Sequence, residues 1–215
     1  MKNHSLPPAI AASKEAAGRK WLRILAAAEA AKLAANRGRY RWAEFGVRSG
    51  KSARALLELL PPGRGQIHLF DSFEGLPEEW DRGEGVGVSQ AGHFACEVPE
   101  FSDSRAHVHK GWFDDTLQPF KDKNQYLIFD LMHVDCDLYS STKTVLDVFR
   151  TATTAGTVLI FDDIAGYPNW REGQWKAWQE WIGDMPHTWI GHTRGVKRGG
   201  IANIAAAVRL DGQWD

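Results

Sequence analysis

The sequence predicts an α/β protein with a doubly wound, mostly parallel sheet and helices on both faces of that sheet. Short apolar segments typical of strands alternate with amphipathic segments typical of helices along most of the chain. Several strand-like segments, such as residues 126–135 (YLIFDLMHVD), are apolar enough to be buried on both sides, as strands of a parallel sheet are. The length of 215 residues fits one domain, which we expect over residues 13–215.

The helices are predicted from their periodicity and from the residues that end them. Residues 1–12 are expected to form a flexible tail, and residues 13–37 an Ala-rich amphipathic helix that ends near Gly38. Further helices are predicted over residues 50–60, 113–120, 140–153 and 170–182. The helix over residues 50–60 ends at Pro61 and Pro62, because proline cannot continue a helix.

The strands are short, apolar and bounded by turn residues. They are predicted over residues 40–46, 66–71, 106–110, 126–135, 156–163, 187–192 and 201–209. Residues 72–98 are rich in glycine and in acidic residues and are expected to form a long loop.

The composition argues against several classes of function. The chain has 26 Lys and Arg residues against 27 Asp and Glu residues, a balance that does not favour a dedicated duplex-DNA-binding protein, and we expect no nucleic-acid partner. Cys96 and Cys136 are too few for a disulfide framework or a zinc site and are expected to be reduced thiols. Neither a secretory signal nor a long apolar run is visible, so we expect a cytoplasmic protein that does not bind membranes.

Opposite charges are concentrated in two blocks of the chain. Residues 1–64 carry thirteen Lys and Arg against four Glu, whereas residues 71–103 carry nine Asp and Glu against one Arg. Such blocks are usually solvated faces. The acidic block has an alternative interpretation, in which Glu74, Glu78 and Glu79 help to attract a cation and to cover an acceptor.

Polar or acidic residues end most of the predicted parallel strands. In an open α/β sheet, ligands bind beyond the carboxyl ends of the strands. The acidic residues at or just after these ends are Glu44, Asp71, Asp135, Asp137, Asp162 and Asp163. A single aspartate in such a position often only caps the next helix, but the coincidence of all of them favours a functional site.

The turn after the first predicted sheet strand, GVRSGKS over residues 46–52, has two interpretations. It resembles the phosphate-binding motif G-x-x-x-x-G-K-S/T but is one residue short, which would move half of the backbone N–H donors out of register. Lys51 is then better explained as a solvent-facing residue at a helix start. In the second interpretation, Gly46 and Gly50 let the backbone approach a nucleoside cofactor closely.

Acidic residues on both sides of this turn favour the nucleoside cofactor. Asp71 lies 21 residues after Gly50, where an acidic side chain accepts hydrogen bonds from both ribose hydroxyls. The nicotinamide fingerprint G-x-G-x-x-G is absent. Glu44 suits a cofactor with a cationic ammonium group and no phosphate, and S-adenosylmethionine has that shape.

Five segments resemble successive motifs of the macrocin O-methyltransferase (TylF) family, which consists of class I S-adenosylmethionine-dependent methyltransferases. They are AEFGVRSGKSARALLELL, LFDSFEGLPEEW, KGWFDDTL, HVDCDLYSSTKTVL and IFDDIAGYPNW, and they lie within residues 40–185. FDSFEGLP together with H-x-D-x-D-x-Y-x-S-T makes the resemblance specific. The resemblance implies a Rossmann-like sheet with an antiparallel last strand, and a divalent cation, usually Mg²⁺, at the acceptor site.

The resemblance also implies which residues contact each part of the cofactor. The methionine end is assigned to Glu44, Gly46 and Gly50, with Ser52 of the same turn added to the set, the ribose to Asp71, Ser72 and Phe73, and the adenine to Gly111, Trp112 and Phe113.

Three aspartates match the metal-binding positions of that family: Asp135, Asp162 and Asp163. Mg²⁺ prefers such hard oxygen ligands, and a bound cation would orient an acceptor hydroxyl and lower its pKa. Asp135 also matches the proposed general base and is counted among the cofactor contacts. His133 lies on the same sheet face as Asp135 and is a second catalytic candidate, although a packed, hydrogen-bonded histidine is the simpler interpretation.

Three further features are left with two interpretations each. His93 in the loop over residues 72–98 is either a candidate base or an exposed histidine. Residues 192–198 (HTRGVKR) form either a solvated turn or a contact for an anionic acceptor. Trp175, Trp178 and Trp181 share one helix face, which favours core packing over a dimer interface or an acceptor wall.

Together these observations predict a divalent-metal-assisted O-methyltransferase that uses S-adenosylmethionine. The expected partner is a small-molecule acceptor with a hydroxyl group, such as a sugar, a phenol or a natural-product intermediate. Two alternatives remain: a P-loop-like or nicotinamide-dependent nucleotide-binding enzyme on a similar sheet, and a non-catalytic methyltransferase-like binding module. A homodimer is the expected oligomer.

Overall fold

A computed structural model of the chain describes residues 6–193 and 203–214. The strands are β1 (Lys14–Ala16), β2 (Tyr40–Phe45), β3 (Gly65–Asp71), β4 (Trp80–Asp81), β5 (Val88–Ser89), β6 (Ala106–Lys110), β7 (Leu131–Val134), β8 (Val158–Ala165), β9 (His187–Thr193) and β10 (Ile204–Leu210). The helices are α1 (Pro8–Ala11), α2 (Arg19–Ala35), α3 (Lys51–Leu59), α4 (Phe113–Lys123), α5 (Tyr139–Val148) and α6 (Gln174–Ile182), with 3₁₀ turns at Arg150–Ala152 and Trp170–Glu172.

Within these residues, eight strands form one sheet in the order β1-β9-β10-β8-β7-β2-β3-β6. Strands β8, β7, β2, β3 and β6 run parallel, whereas β10 is antiparallel to both of its neighbours. The predicted fold class, including its antiparallel last strand, is confirmed. The chain moves outward from β2 to β6 and then returns to β7 on the other side of β2. This reversal of strand order opens the crevice in which α/β proteins bind ligands.

Two apolar layers hold the helices against the two faces of the sheet. Leu22 of α2 and Leu56 of α3 pack on one face. Leu117 of α4, Leu146 of α5 and Trp178 of α6 pack on the other. Every residue of β8 is buried, which agrees with the prediction that central strands are covered on both sides.

The tryptophans of α6 belong to this second layer. Trp178 and Trp181 are buried, and Trp175 is partly buried against the same cluster. Of the two interpretations of this helix face, the structure therefore favours core packing.

The N-terminal segment differs from its prediction. Pro8–Ala11 form a short helix with Ile10 fully buried in the core, so this part of the predicted flexible tail is packed, and residues 1–5 lie outside the described chain. Lys14–Ala16, predicted as helix, pair with β9 in parallel, and Ala16 is buried. Burial of these apolar side chains outweighs the helical preference of an Ala-rich sequence. A single domain over residues 13–215 stays a prediction.

The other differences lie in loops and strand ends. The predicted strand 126–135 is reduced to β7, and the predicted loop 72–98 contains the β4–β5 hairpin. The last strand begins at Ile204, and residues 201–202 of its predicted range lie outside the described residues. Most of the predicted basic patch over residues 192–198 also lies outside them. In the part of the chain that the structure describes, no helix is both long and apolar enough to cross a membrane.

Three histidines cluster on the outer strands of the sheet. The pairing of β3 with β6 places His68 opposite His107, and His68 Nδ1 lies 3.0 Å from His109 Nε2. The ring of Phe120 from α4 packs edge-on against His68, with the ring centroids 4.8 Å apart. Burial, and then the neighbouring His109 and His107, lower the pKa of His68 to about 3.

We expect acid to destabilise the fold through His68. Its pKa is about 3 in the folded protein against 6.5 for the free side chain, so the neutral imidazole stabilises the fold above pH 6.5. That contribution is lost as the pH falls from 6.5 toward 3, by up to about 1.4 kcal/mol per pH unit. Urea unfolding should show the free energy of unfolding of the wild type falling faster with decreasing pH than that of His68→Phe.

The exposed His93 provides the control for this experiment. The pH dependence of His93→Gln should run parallel to that of the wild type. Parallel curves for the wild type and His68→Phe would contradict the prediction.

Candidate functional site

A cavity of about 880 Å³ opens at the carboxyl ends of the central strands, where the strand order reverses. This volume is typical of sites for small molecules and cofactors. Residues at or near the carboxyl ends of β2, β3, β7 and β8 line it: Gly46, Asp71, Asp135 and Asp162. Of the acidic residues predicted at the strand ends, all except Glu44 therefore converge on one crevice.

The turn after β2 depends on Gly46. This residue has a φ of 88°, and a Cβ atom on it would lie 2.0 Å from the carbonyl oxygen of Asp135. Only glycine allows the end of β2 to pack this closely against the segment after β7. Gly50, with a φ of 75°, is the N-cap of α3, and the exposed Lys51 and the partly buried Ser52 line the cavity beyond it.

Asp71 connects the turn after β2 with the turn after β3. The backbone N–H groups of Val47 and Arg48 donate to Asp71 Oδ2, each over 2.7 Å. The N–H group of Phe73 donates to Asp71 Oδ1, also over 2.7 Å. A carboxylate has about four acceptor positions, so at least one remains for a ligand on the side that lines the cavity. Sequence reasoning missed this scaffolding role of Asp71.

Aromatic residues form the wall on the β3 side of the cavity. Trp112 and Phe113 line it at the start of α4. Phe94 also lines the cavity, and the Arg48 guanidinium lies 4.7 Å from the centre of its ring. Ser72 also lines the cavity. Two residues of the predicted cofactor set are placed behind this wall. Phe73 packs into the core, and the Gly111 N–H donates to the carbonyl of Asp71.

A buried row of polar groups lies beneath the cavity. Ser52 Oγ donates to Glu44 Oε1, His133 Nδ1 lies 3.6 Å from the same oxygen, and His133 Nε2 lies 3.4 Å from Asp162 Oδ1. Burial lowers the pKa of His133, but Asp162 and Glu44 outweigh it and raise that pKa to about 10. His133 is therefore an imidazolium held between two carboxylates.

This arrangement places two of the predicted site residues beneath the cavity rather than in its lining. Glu44 and His133 are completely buried and do not line the cavity, so Glu44 cannot contact a ligand there without movement. A histidine that already carries its proton cannot accept one, so His133 is unsuited to act as the base. The packed, hydrogen-bonded interpretation of His133 fits the structure, because its two carboxylate neighbours stabilise the charged form.

The three aspartates that the resemblance implies as metal ligands, Asp135, Asp162 and Asp163, all line the cavity. Oxygens of Asp135, Asp137 and Asp163 lie within 4.8 Å of one another. Asp162 instead accepts from the Arg19 Nε at 2.5 Å and faces His133. The geometry thus brings Asp137 beside Asp135 and Asp163, and the ligand set Asp135, Asp162 and Asp163 stays a prediction. We call Asp135, Asp137 and Asp163 the carboxylate cluster.

Crowding controls the protonation of these groups. Burial alone would raise the pKa of Asp162, but His133 and Arg19 lower it to about 2. Burial and the neighbouring Asp162 raise the pKa of Asp163 to about 6. Burial and the adjacent carboxylates raise the pKa values of Asp135 and Asp137 well above the usual range. The cluster therefore binds protons readily, and a cation of matching size would replace them.

Several residues that sequence reasoning missed hold the cluster in place. Asn203 Nδ2 donates to Asp163 Oδ1, and Gln174 accepts the N–H of Asp163 while donating to the carbonyl of Val134 over 3.2 Å. Arg19, the first residue of α2, donates to both the side chain and the carbonyl of Asp162. Asp137 stands in the recognised H-x-D-x-D motif, so that motif was the available signal for it. Arg19, Gln174 and Asn203 carry no such signal.

Comparison with known proteins places this geometry in context. A family model described as a methyltransferase domain matches residues 43–164. No curated protein matches the sequence.

Several solved structures share the fold. The crystal structure of CalS11, a calicheamicin methyltransferase, has a TM-score of 0.64 at 22% identity over 90% of this chain and 80% of that one. The O-methyltransferase NovP has a TM-score of 0.59 at 19% identity over 92% and 81%. The O-methyltransferase TomG from Streptomyces achromogenes, in complex with SAM, has a TM-score of 0.55 at 17% identity over 92% and 82%.

We expect Glu44→Gln to lower the pKa of His133 by at least about 1, because it removes one of the two carboxylates that stabilise the imidazolium. NMR titration of the His133 ring measures this pKa directly. Glu58→Gln, on the exposed side of α3, is the control and should leave the pKa of His133 unchanged. An unchanged pKa in Glu44→Gln would show that Glu44 does not stabilise the imidazolium.

Proposed function

The chain belongs to the methyltransferase-domain family, and from this premise we propose that it transfers a methyl group from S-adenosylmethionine to a hydroxyl oxygen of a small molecule. The observation that carries the proposal is the shape of the cavity. One side is built from the turns that Asp71 connects, and the other from the carboxylate cluster. A nucleoside cofactor suits the first side, and an acceptor hydroxyl that must lose a proton suits the second.

Within that family, the motifs FDSFEGLP and HVDCDLYSST support a place beside the macrocin O-methyltransferases. The fold neighbours include enzymes described as a calicheamicin methyltransferase and as an O-methyltransferase of tomaymycin synthesis. We therefore propose a natural-product intermediate, a sugar or a phenol as the acceptor.

The cofactor side would bind S-adenosylmethionine, whose sulfonium supplies the methyl group. Asp71 would accept from the ribose hydroxyls with its remaining lone pairs, while its three N–H partners keep the turns rigid. Trp112 and Phe113 would pack against the adenine, and the backbone at Gly46 would approach the methionine end. Methyl transfer needs an in-line approach, so this fixed placement would supply much of the rate.

The carboxylate cluster fits a divalent cation such as Mg²⁺. Three hard oxygen donors within 4.8 Å of one another supply part of its preferred shell. The cation would act as a Lewis acid toward the acceptor oxygen. We propose that Asp135, Asp137 and Asp163 hold it, and that Asp135 or Asp137 accepts the hydroxyl proton on a carboxylate oxygen. Arg19 and His133 would keep Asp162 ionised beside them.

The two alternative functions are less well supported. Membership of the methyltransferase-domain family argues against a P-loop-like or nicotinamide-dependent enzyme. A non-catalytic module would have no need for a cluster of buried carboxylates with raised pKa values. A cytoplasmic location and a homodimer stay predictions.

Asp71→Asn should weaken S-adenosylmethionine binding by about tenfold or more, because an amide nitrogen cannot accept from a ribose hydroxyl or from a backbone N–H group. Isothermal titration calorimetry measures the affinity. Asp122→Asn, at an exposed position of α4, should bind like the wild type. If calorimetry detects no binding of S-adenosylmethionine or of its product to the wild type, the proposed function is wrong.

Metal binding tests which aspartates form the cation site. We expect Asp137→Asn and Asp163→Asn to weaken Mn²⁺ binding by about tenfold or more, because each loses a charged ligand. Asp162→Asn should have a smaller effect, since Asp162 is paired with Arg19. Electron paramagnetic resonance of free Mn²⁺ gives the affinities, and Asp122→Asn at an exposed position of α4 is the control. A larger loss in Asp162→Asn than in Asp137→Asn would instead favour the set Asp135, Asp162 and Asp163.

A further inference from the structure

An arginine without a carboxylate partner stands in the wall of the cavity. Arg82, directly after β4, lines the cavity and makes no ion pair with any residue that the structure describes. Its Nη2 donates to Ser89 Oγ over 3.2 Å, and its Nε is buried without a hydrogen-bond partner. A partly buried guanidinium has lost part of its hydration, and an anion is the group that would compensate for this loss.

The acidic residues nearest to Arg82 in the sequence are Glu78, Glu79, Asp81 and Glu84, and none of them forms an ion pair with it; Glu84 is exposed and does not line the cavity. Glu78 accepts from Ser140 Oγ over 2.5 Å, and Glu79 accepts from Gln90 over 3.0 Å. Asp81 accepts from the Gly83 N–H and from Asn169 Nδ2. The charge of Arg82 is therefore left for a group that enters the cavity.

The guanidinium is held in place before any ligand binds. It lies 4.7 Å from the centre of the buried Trp80 ring, and Trp80 in turn packs edge-on against Tyr167. The carbonyl of Arg82 accepts from the N–H of Asn169 over 3.1 Å, which fixes the hairpin to the segment after β8. A charged group fixed in this way binds its partner with little loss of conformational entropy.

Arg82 lies on the same side of the cavity as the carboxylate cluster. Tyr167 packs against Trp80, and its hydroxyl interacts electrostatically with both Arg82 and the carboxylate cluster. Burial, then Asp163 and Asp137, raise the pKa of the Tyr167 hydroxyl, and Arg82 opposes that effect. Glu78, in the segment that leads to Arg82, bonds to Ser140 at the start of α5, shortly after Asp137. Arg82 thus borders the acceptor side of the site rather than the side around Asp71.

We propose that the acceptor carries an anionic oxygen group, a carboxylate or a phosphate, and that Arg82 determines specificity by binding it. The inference rests on the proposed function, because it describes the acceptor of the same site. The planar guanidinium presents parallel N–H donors that match either oxyanion. The carboxylate cluster would repel the anion and accept the hydroxyl, so the charges at the two positions would fix one orientation of the acceptor.

Calorimetry with small anions tests this proposal on protein saturated with S-adenosylhomocysteine. The probes are benzoate, its uncharged analogue benzamide, and inorganic phosphate. We expect benzoate, phosphate or both to bind the wild type, and to bind Arg82→Gln about ten- to a hundredfold more weakly. If benzoate binds, it should bind the wild type more tightly than benzamide, and Arg82→Gln should lose this preference. Arg82→Lys keeps the charge without the planar fork and should retain part of the affinity.

Arg171 provides the matched control. Its guanidinium also stacks on a tryptophan, 4.2 Å from the ring of Trp170, but it is exposed and does not line the cavity. Arg171→Gln should bind the probes like the wild type. If Arg82 only stabilised the hairpin, Arg82→Gln would lower the melting temperature and leave the anion affinity unchanged, and the proposal would be wrong.

The outcomes separate this inference from the proposed function. Benzoate binding alone identifies the group as a carboxylate, and phosphate binding alone identifies it as a phosphate. If the wild type binds S-adenosylhomocysteine but neither anion, the inference fails and the proposed function stands. If the wild type binds no S-adenosylhomocysteine, the proposed function fails. The anion affinities are then compared on protein without cofactor, and equal affinities of the wild type and Arg82→Gln overturn the role of Arg82 as well.

Discussion

Crowding of buried carboxylates at the ends of β7 and β8 is the constraint on which the rest of the site depends. An ionised carboxylate removed from water is costly unless a cation or a proton compensates for it. His133 and Arg19 supply that compensation to Asp162. His133 also lowers the pKa of Asp135, and Arg19 that of Asp163, but burial and the neighbouring carboxylates outweigh them, so the pKa values of Asp135, Asp137 and Asp163 are raised. The site is therefore built to take up positive charge.

The sheet divides these charges between its two faces. Neighbouring residues of a strand point to opposite sides, so Asp162 and Asp163 cannot both face the same helix layer. The strand register places Glu44, His133 and Ile160 side by side, and Asp162 follows on that face, toward α2. Asp163 faces the other layer, where Gln174 of α6 binds its backbone. This alternation explains why Asp162 meets Arg19 and His133, whereas Asp163 meets Gln174 and Asn203.

Strand periodicity therefore predicts some features of the site that the motif match alone does not. Strand periodicity was sufficient to predict the parallel sheet and the convergence of Asp71, Asp135 and Asp163 at one edge. The same periodicity, applied to Asp162 and Asp163, would have separated them. Arg19 could not be predicted, because it reaches Asp162 from 143 residues away, through the packing of α2 against the sheet. The burial of Ile10 and Ala16, on which the N-terminal course of the chain depends, is likewise a tertiary effect.

The acidic block over residues 71–103 acquires a different meaning once its contacts are known. Asp71 binds backbone N–H groups, and Glu78, Glu79 and Asp81 each bind a polar neighbour. These carboxylates thus help to fix the loop and its hairpin against the rest of the fold. The one arginine of the block, Arg82, makes no ion pair with any described residue, and it lines the cavity. From the sequence, the acidic block suggested that it attracts a metal cation. In the structure it instead places the positively charged Arg82 at the cavity, where it suits an anionic acceptor.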